Sequence, residues 1–410
     1  MNSASAGPRP LEGIRVLDFT HVMAGPFSTN YLSQLGARVI KIESLGGDVF
    51  RYYGDDMTLK EAGMAAAFVG ANAGKESVAL DLTKPEAREI VRKLVAQADV
   101  LVENFRPGSI ERLGFDYESC VGIKPDLIYC SISGFGQTGP MRDYPAIDNI
   151  VQAMSGLMSV SGQPDSDEPI RIGVPAVDTF AATTAALAIL AAIVQRERFG
   201  GGQRIDVSML DAALVFLYGT ATPYLISGIV AQKTGNAGYS GSQAAGVFEC
   251  SDGRLVSIGA VQDSQVHRLI DFVKHPDFTR ERFGTMALRL ESGPALAATL
   301  REVISTRTAA EWESELTAIN VPCGVVRTVP EALELAQVAE RGLLESAELD
   351  GLGRPDARIL TSGFRFEHGG PRVSGGAPRL GEHTRATLIE LGLSEAEVDA
   401  LAEDHVIGLA

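Results

Sequence analysis

Short runs of aliphatic and β-branched residues alternate with helical stretches of about a dozen residues through the first third of the chain. This alternation restricts the fold more than any other feature. Ile14 to Thr20 reads as a strand, and Ala24-Gly25-Pro26 then opens a helix to about Leu35, with Pro26 near its first turn. Gly36 ends that helix and Arg38 to Glu43 makes the next strand. Val78 to Leu82, a helix from Pro85 to Ala98, a strand from Asp99 to Phe105 and another from Leu127 to Ser133 continue the series. Parallel strands require crossovers of this length, so the spacing predicts α/β architecture with a doubly wound, Rossmann-like parallel sheet. Ligands on such sheets lie beyond the carboxyl ends of the strands. One rim is therefore expected from His21 to Gly25, Asn104 to Gly108 and Ser133 to Gly139. No GxGxxG follows the first strand and no GxxxxGK[ST] occurs, so neither phosphate-binding signature is present.

A second constraint begins at Gly173-Val174-Pro175-Ala176-Val177-Asp178. Asp178 precedes a helix that reads apolar on every face, so a carboxylate stands at the positive end of a buried helix. That position suits a plain N-cap and equally a reactive carboxylate held ionised by the helix dipole. The apolar run Ala181 to Val194 has 14 residues, too few to span a bilayer. Gln203 to Met209 reads as a strand and Leu210 to Ile226 as a second apolar helix, after which Gly228 to Gly246 turns glycine-rich. A hairpin around Ser251-Asp252-Gly253-Arg254 then opens a separate unit. The expected organisation is a large domain over residues 1–226, a smaller inserted α+β domain over 227–326, and a return to the large domain over 327–410.

The net charge of −16 argues against nucleic acid or an anionic membrane as partner. Cys120, Cys130, Cys250 and Cys323 are widely spaced, without CxxC, and the six histidines form no HxxxH or HExxH. Neither a disulfide framework nor a metal site is indicated, and no tightly bound cofactor is expected. Met1 to Pro10 lacks an apolar core, so a cytoplasmic protein is expected.

On the predicted rim, Lys75, Arg106, Arg112 and Arg142 suit phosphate or carboxylate, although each taken alone also suits solvated surface charge. In Asn104-Phe105-Arg106-Pro107-Gly108 an aromatic ring stands beside a guanidinium, which fits an adenine next to a phosphate. His21 directly follows the first strand, without a Ser or Cys at a readable spacing to form a nucleophile–base pair.

These stretches, together with Gly36-Ala37-Arg38-Val39-Ile40-Lys41-Ile42-Glu43, Ser133-Gly134-Phe135-Gly136-Gln137-Thr138-Gly139-Pro140 and Ala377-Pro378-Arg379-Leu380-Gly381-Glu382-His383-Thr384, resemble the class III coenzyme A transferase family, formyl-CoA and carnitine CoA-transferases among its members. The resemblance is dense over residues 11–215, returns at 377–393 and is looser between. It implies that Asp178 is the nucleophile, that His21 and Met23 lie near the thioester with Gly235, Asn236 and Gly238 on the substrate side, and that Lys75, Asn104, Phe105, Arg106 and Arg112 line the CoA site. Glu76 stands where relatives usually carry Arg, and Gly235-Asn236-Ala237-Gly238 replaces the usual Gly-Asn-Arg-His.

The implied reaction moves coenzyme A from an acyl-CoA donor, succinyl-CoA or similar, to a small carboxylate, a dicarboxylate fitting best, through aspartyl anhydride and aspartyl-CoA thioester intermediates. A carboxylate nucleophile keeps the acyl group activated where a serine ester would not. The rival within the same fold is 2-methylacyl-CoA racemase, whose Gly-His-Asp histidine is replaced here by Ile147, which carries no proton. A non-catalytic CoA-binding protein is the alternative of another class. The resemblance also implies an interlocked homodimer, which would account for a helix apolar all round.

Overall fold

The computed structural model describes residues 7–238 and 241–410. The chain forms two compact units, the first from residues 1–155, 172–222 and 339–410, the second from 156–171 and 223–338.

The first unit is built on a seven-stranded sheet. Its strands are β1 (Arg15–Asp18), β2 (Arg38–Glu43), β3 (Glu76–Leu80), β4 (Val100–Glu103), β5 (Ile128–Ser133) and β6 (Gln203–Ser208). The spatial order is β3-β2-β1-β4-β5-β6, all parallel, with Ile407–Gly408 near the chain end adding an antiparallel edge strand beside β3. The order reverses between β1 and β4, the position where doubly wound sheets open a crevice for ligand.

Alternate side chains explain why both faces are covered. Val16, Val39, Val100, Val102, Ile128, Cys130 and Ile132 point one way and pack on α1 (Ala24–Gln34) and a long helix, Ala176–Phe199. Leu17, Ile40, Ile42, Val78, Leu80, Leu101 and Tyr129 point the other way, against α2 (Pro85–Val95). Strands covered on both faces read as near-continuous apolar runs, which is what made them legible.

Helix α3 (Asp148–Met154) and the long helix, α4 (Ala176–Phe199), follow β5. By length and composition α4 is apolar enough to cross a membrane, and it exceeds the apolar run seen in sequence because polar residues at both ends continue the helix. Val177, Ala181, Ala182, Ala185, Ala186, Ile189, Ala192 and Ile193 are buried, whereas Leu187 is 67% and Phe199 80% exposed. The second apolar stretch is not one helix: it breaks at Leu217 into α5 (Met209–Phe216) and Tyr218–Ser227, the latter carrying Pro223 inside it.

The second unit holds an antiparallel three-stranded sheet of Ala245–Glu249, Leu255–Gly259 and Cys323–Val325. Helices Asp263–Val273, Gly293–Ile304 and Ala309–Ala318 pack on it around Trp312, whose indole N–H reaches the Ile304 carbonyl at 2.7 Å.

Candidate active site

The crevice forms where the sheet topology puts it. A groove of about 720 Å³ opens at the carboxyl ends of β1 to β4, walled by Phe19 to His21, Lys41 to Val49, Leu80 to Thr83, Phe105 and Leu113. Beyond β1 the chain turns into α1, and beyond β4 it passes through Asn104. The two ends are tied together: the Asn104 amide accepts the His21 N–H and donates to the His21 carbonyl, both at 2.9 Å. The His21 ring lies on Phe105 with centroids 5.1 Å apart. Burial pushes the His21 imidazole below its usual value, favouring the neutral ring. Gly25 makes the close approach possible, since a Cβ there would sit 2.3 Å from the Thr20 Cβ and 3.0 Å from the Asn104 side chain.

His21, Asn104 and Phe105 are thus brought together, whereas Met23, the residue preceding α1, is not one of the groove's walls. Arg106 and Arg112 are exposed beyond β4, Arg106 donating to the Asp143 carbonyl at 2.8 Å and Arg112 to the Ser109 hydroxyl at 3.1 Å. Arg142 pairs with Glu111 at 3.5 Å.

Lys75 is a correction. Its ammonium is buried and contacts Asp18 at 2.9 Å, the Pro26 carbonyl, the Thr29 hydroxyl and the Asn72 amide oxygen. An ammonium has three protons to donate, so none is left for a phosphate of CoA. Burial pushes Lys75 down to about 8. Burial alone would raise Asp18, but the ammonium groups of Lys75 and Lys41 outweigh it and hold this carboxyl well below the usual range. Lys75 therefore anchors α1 to β1. Glu76 takes a two-point salt bridge from Arg38, its oxygens at 2.8 and 2.9 Å.

Asp178 is also placed differently from a cap. The residue preceding α4 is Pro175, and Asp178 lies in the first turn without a capping bond of its own. The carboxylate that caps α4 belongs to Asp148, at the start of α3: its Oδ1 accepts the Val177 N–H at 2.8 Å and the Asp178 N–H at 3.1 Å. The buried Gln152 donates to Asp148 Oδ2 at 2.6 Å and accepts from the Ile172 N–H at 2.9 Å, which fixes the carboxylate's orientation. The expectation that the helix end keeps Asp178 ionised is not met: burial, with the Asp148 charge added, pushes its carboxyl up to about 7. Asp178 is not one of the groove's walls. Ile147 precedes α3 and is exposed, offering no second proton carrier beside Asp148.

In the second unit, two of the three loop positions are already engaged. The Gly235 N–H goes to the Gly162 carbonyl at 3.1 Å and the Gly238 N–H to the Ala245 carbonyl at 2.5 Å, so neither is free for a substrate oxyanion. Asn236 between them is exposed. Neither hydrogen bond was visible in the sequence, because each partner lies outside the loop's own tight turn. Asp148 was equally missed: only its contact with a helix that starts 28 residues later reveals its role. Among the described residues no group of three or more His, Cys, Asp or Glu side chains converges as a metal site.

A doubly wound sheet with a ligand groove at its switch point and a protonatable carboxylate at a helix start defines an α/β enzyme architecture. The model of CoA-transferase family III matches residues 11–384. The acetyl-CoA:oxalate CoA-transferase of Acetobacter aceti is 39% identical over 391 residues, 95% of this chain and 97% of that protein. The succinate–glutarate CoA-transferase of Agrobacterium fabrum is 38% identical over 395 residues, 93% and 96% of the two chains. A CaiB/BaiF family protein from Brucella suis superposes with a TM-score of 0.83 at 35% identity, covering 94% of this chain and all of that one. The chain belongs to the class III CoA-transferases and is an enzyme.

Proposed function

We propose that this enzyme transfers coenzyme A from an acyl-CoA donor such as succinyl-CoA to a small dicarboxylate, with Asp178 as nucleophile. The observation that carries the reading is the half-buried Asp178, whose N–H lies 3.1 Å from the Asp148 carboxylate at the start of α4, in a chain of this family. Relatives named for oxalate, glutarate and mesaconate support an acidic acceptor.

Ionised Asp178 attacks the thioester carbonyl and expels CoA thiolate, leaving an aspartyl–acyl anhydride. The thiolate then attacks the aspartyl carbonyl, releasing the donor carboxylate and leaving an aspartyl-CoA thioester. The acceptor carboxylate attacks that thioester to give a second anhydride and CoA thiolate. Attack of the thiolate on the acceptor's carbonyl yields the new acyl-CoA and regenerates the Asp178 carboxylate. No net proton is consumed, and each intermediate keeps an activated acyl group. Desolvation of a carboxylate raises its reactivity once it is ionised.

The neutral His21 ring and Met23 face the thioester, while Phe105, Arg106 and Arg112 hold CoA along the groove at the β1–β4 crossover. Two chains associate through the exposed apolar surface of α4 and α5, where Leu187, Val194, Phe199 and Val215 stand exposed. The reaction takes place in the cytoplasm, where acyl-CoA is available.

The test is a screen of oxalate, malonate, succinate, glutarate and monocarboxylates against labelled succinyl-CoA, with mass spectrometry of the enzyme quenched in hydroxylamine. Hydroxamate on Asp178 and transfer to a dicarboxylate are expected. Solvent deuterium entering C2 of a 2-methylacyl-CoA without any acceptor would instead establish the racemase.

A further inference from the structure

We propose that Asp48 is the positioning residue of this site: its carboxylate, paired with Lys41, pins Val22 in a left-handed backbone conformation and thereby aims His21 at the groove. The proposal rests on the reading that His21 and Met23 face the thioester.

Five non-glycine residues among those described have positive φ, namely Val22, Lys274, Asn320, Glu348 and His405, and Val22, at 67°, is the β-branched one. A β-branched side chain in that region is a genuine outlier and persists only where its surroundings over-determine it. The peptide that joins His21 to Val22 is tied down from two sides. Asn104 clamps the His21 peptide from the β4 side. From the β2 side both Asp48 carboxylate oxygens lie 3.2 Å from the Val22 N–H. Asp48 is itself held, with Lys41 Nζ 3.2 Å from its Oδ2 and its own N–H on Glu43 Oε1 at 3.0 Å. The same lysine donates to the Thr20 carbonyl at 2.5 Å, one residue before His21.

Lys41 is fully buried and Asp48 nearly so. A buried ion pair adds little to stability compared with apolar residues of the same size, so its presence calls for another explanation. What this pair does geometrically is close a clamp around a strained turn. Asp48 also accepts the Phe50 N–H at 3.0 Å and so starts the short helical turn Val49–Tyr52, a purely structural duty that any test must separate from positioning.

Glycine separates them. It adopts positive φ without steric cost, so Val22→Gly lets the turn form without a clamp, yet it restores nothing to the Val49–Tyr52 turn. Asp48→Ala is expected to lower kcat on the order of ten- to a hundredfold, the range one strained residue commands, with KM for acyl-CoA within about threefold. Adding Val22→Gly to Asp48→Ala should recover most of that loss. The His21 ring proton resonances, read by NMR with or without turnover, should shift and broaden in Asp48→Ala and return in the double variant. Wild-type kcat with an unmoved His21 resonance in Asp48→Ala would overturn the proposal. So would a double variant no better than Asp48→Ala on both measures. If Asp48→Ala does not fold, Asp48→Asn with and without Val22→Gly carries the same comparison. Should the wild-type enzyme fail to transfer CoA, the functional reading falls, while the His21 resonances still decide the role of Asp48.

Discussion

The Asp148 carboxylate accepts the backbone N–H of Asp178 at 3.1 Å, so two acidic residues share one helix end. The positive end of α4 is spent on Asp148, and Asp178, half-buried beside that charge, binds its proton more tightly than a free carboxyl.

The first consequence is a pH dependence. In the proposed mechanism Asp178 attacks as the carboxylate, so kcat/KM for acyl-CoA should rise with pH and level off above about 7. Asp148→Asn keeps an oxygen for the two N–H groups but removes the like charge. Burial, the larger cause, remains. The rising limb should therefore move to lower pH without disappearing. A pH–rate profile of both proteins checks this, and an unmoved limb would show that Asp148 exerts no charge effect.

Stability carries the opposite sign. A carboxyl whose folded pKa is raised contributes stability that is fully present below about 3.8 and is lost as pH rises through about 7. Asp178→Asn should thus be inactive yet more stable than wild type at pH 8, by about 1–4 kcal/mol at the conversion of 1.36 kcal/mol per pKa unit. The gap should close toward pH 4. Urea unfolding at both pH values measures it.

Lys75 and Arg112 should separate cleanly. Lys75→Met leaves the Asp18 carboxylate buried without its partner and is expected to cost about 3–5 kcal/mol, seen as a lower melting temperature. Arg112→Ala, at an exposed position, should leave melting within about 0.5 kcal/mol and weaken CoA binding instead. Calorimetry of CoA binding beside thermal melts distinguishes the two. Normal melting with lost CoA affinity in Lys75→Met would return that residue to the binding site.

Leu187 and Val194, 67% and 49% exposed on α4, test the association of two chains. Leu187→Glu with Val194→Glu should shift the mass measured by light scattering from about two chains to one, because each buried carboxylate would lose its hydration. An unchanged dimer would place the interface elsewhere.

Much of the fold was legible because its signals are local. Strands β1 to β6 lie within a residue or two of the apolar runs that announced them, since a sheet covered on both faces demands continuous apolar sequence. The crossovers between those strands constrained the sheet to be parallel, and the glycine and proline punctuation marked where α1 and α2 begin. The break at Leu217 was not legible: an apolar run reads the same whether it continues or bends.

The site divides along the same line. Sequence alone determined the rim residues His21, Asn104 and Phe105, because position at the end of a strand is a one-dimensional property, and it singled out Asp178 by its place before an apolar helix. Only the tertiary structure decided what each side chain does there. It turned Lys75 inward onto Asp18, engaged the N–H groups of Gly235 and Gly238, gave the cap of α4 to Asp148 and set Asp48 behind Val22. Each of these depends on which distant backbone or charge arrives within about 3 Å, a distance that hydrogen bonding requires and that spacing along the chain does not encode.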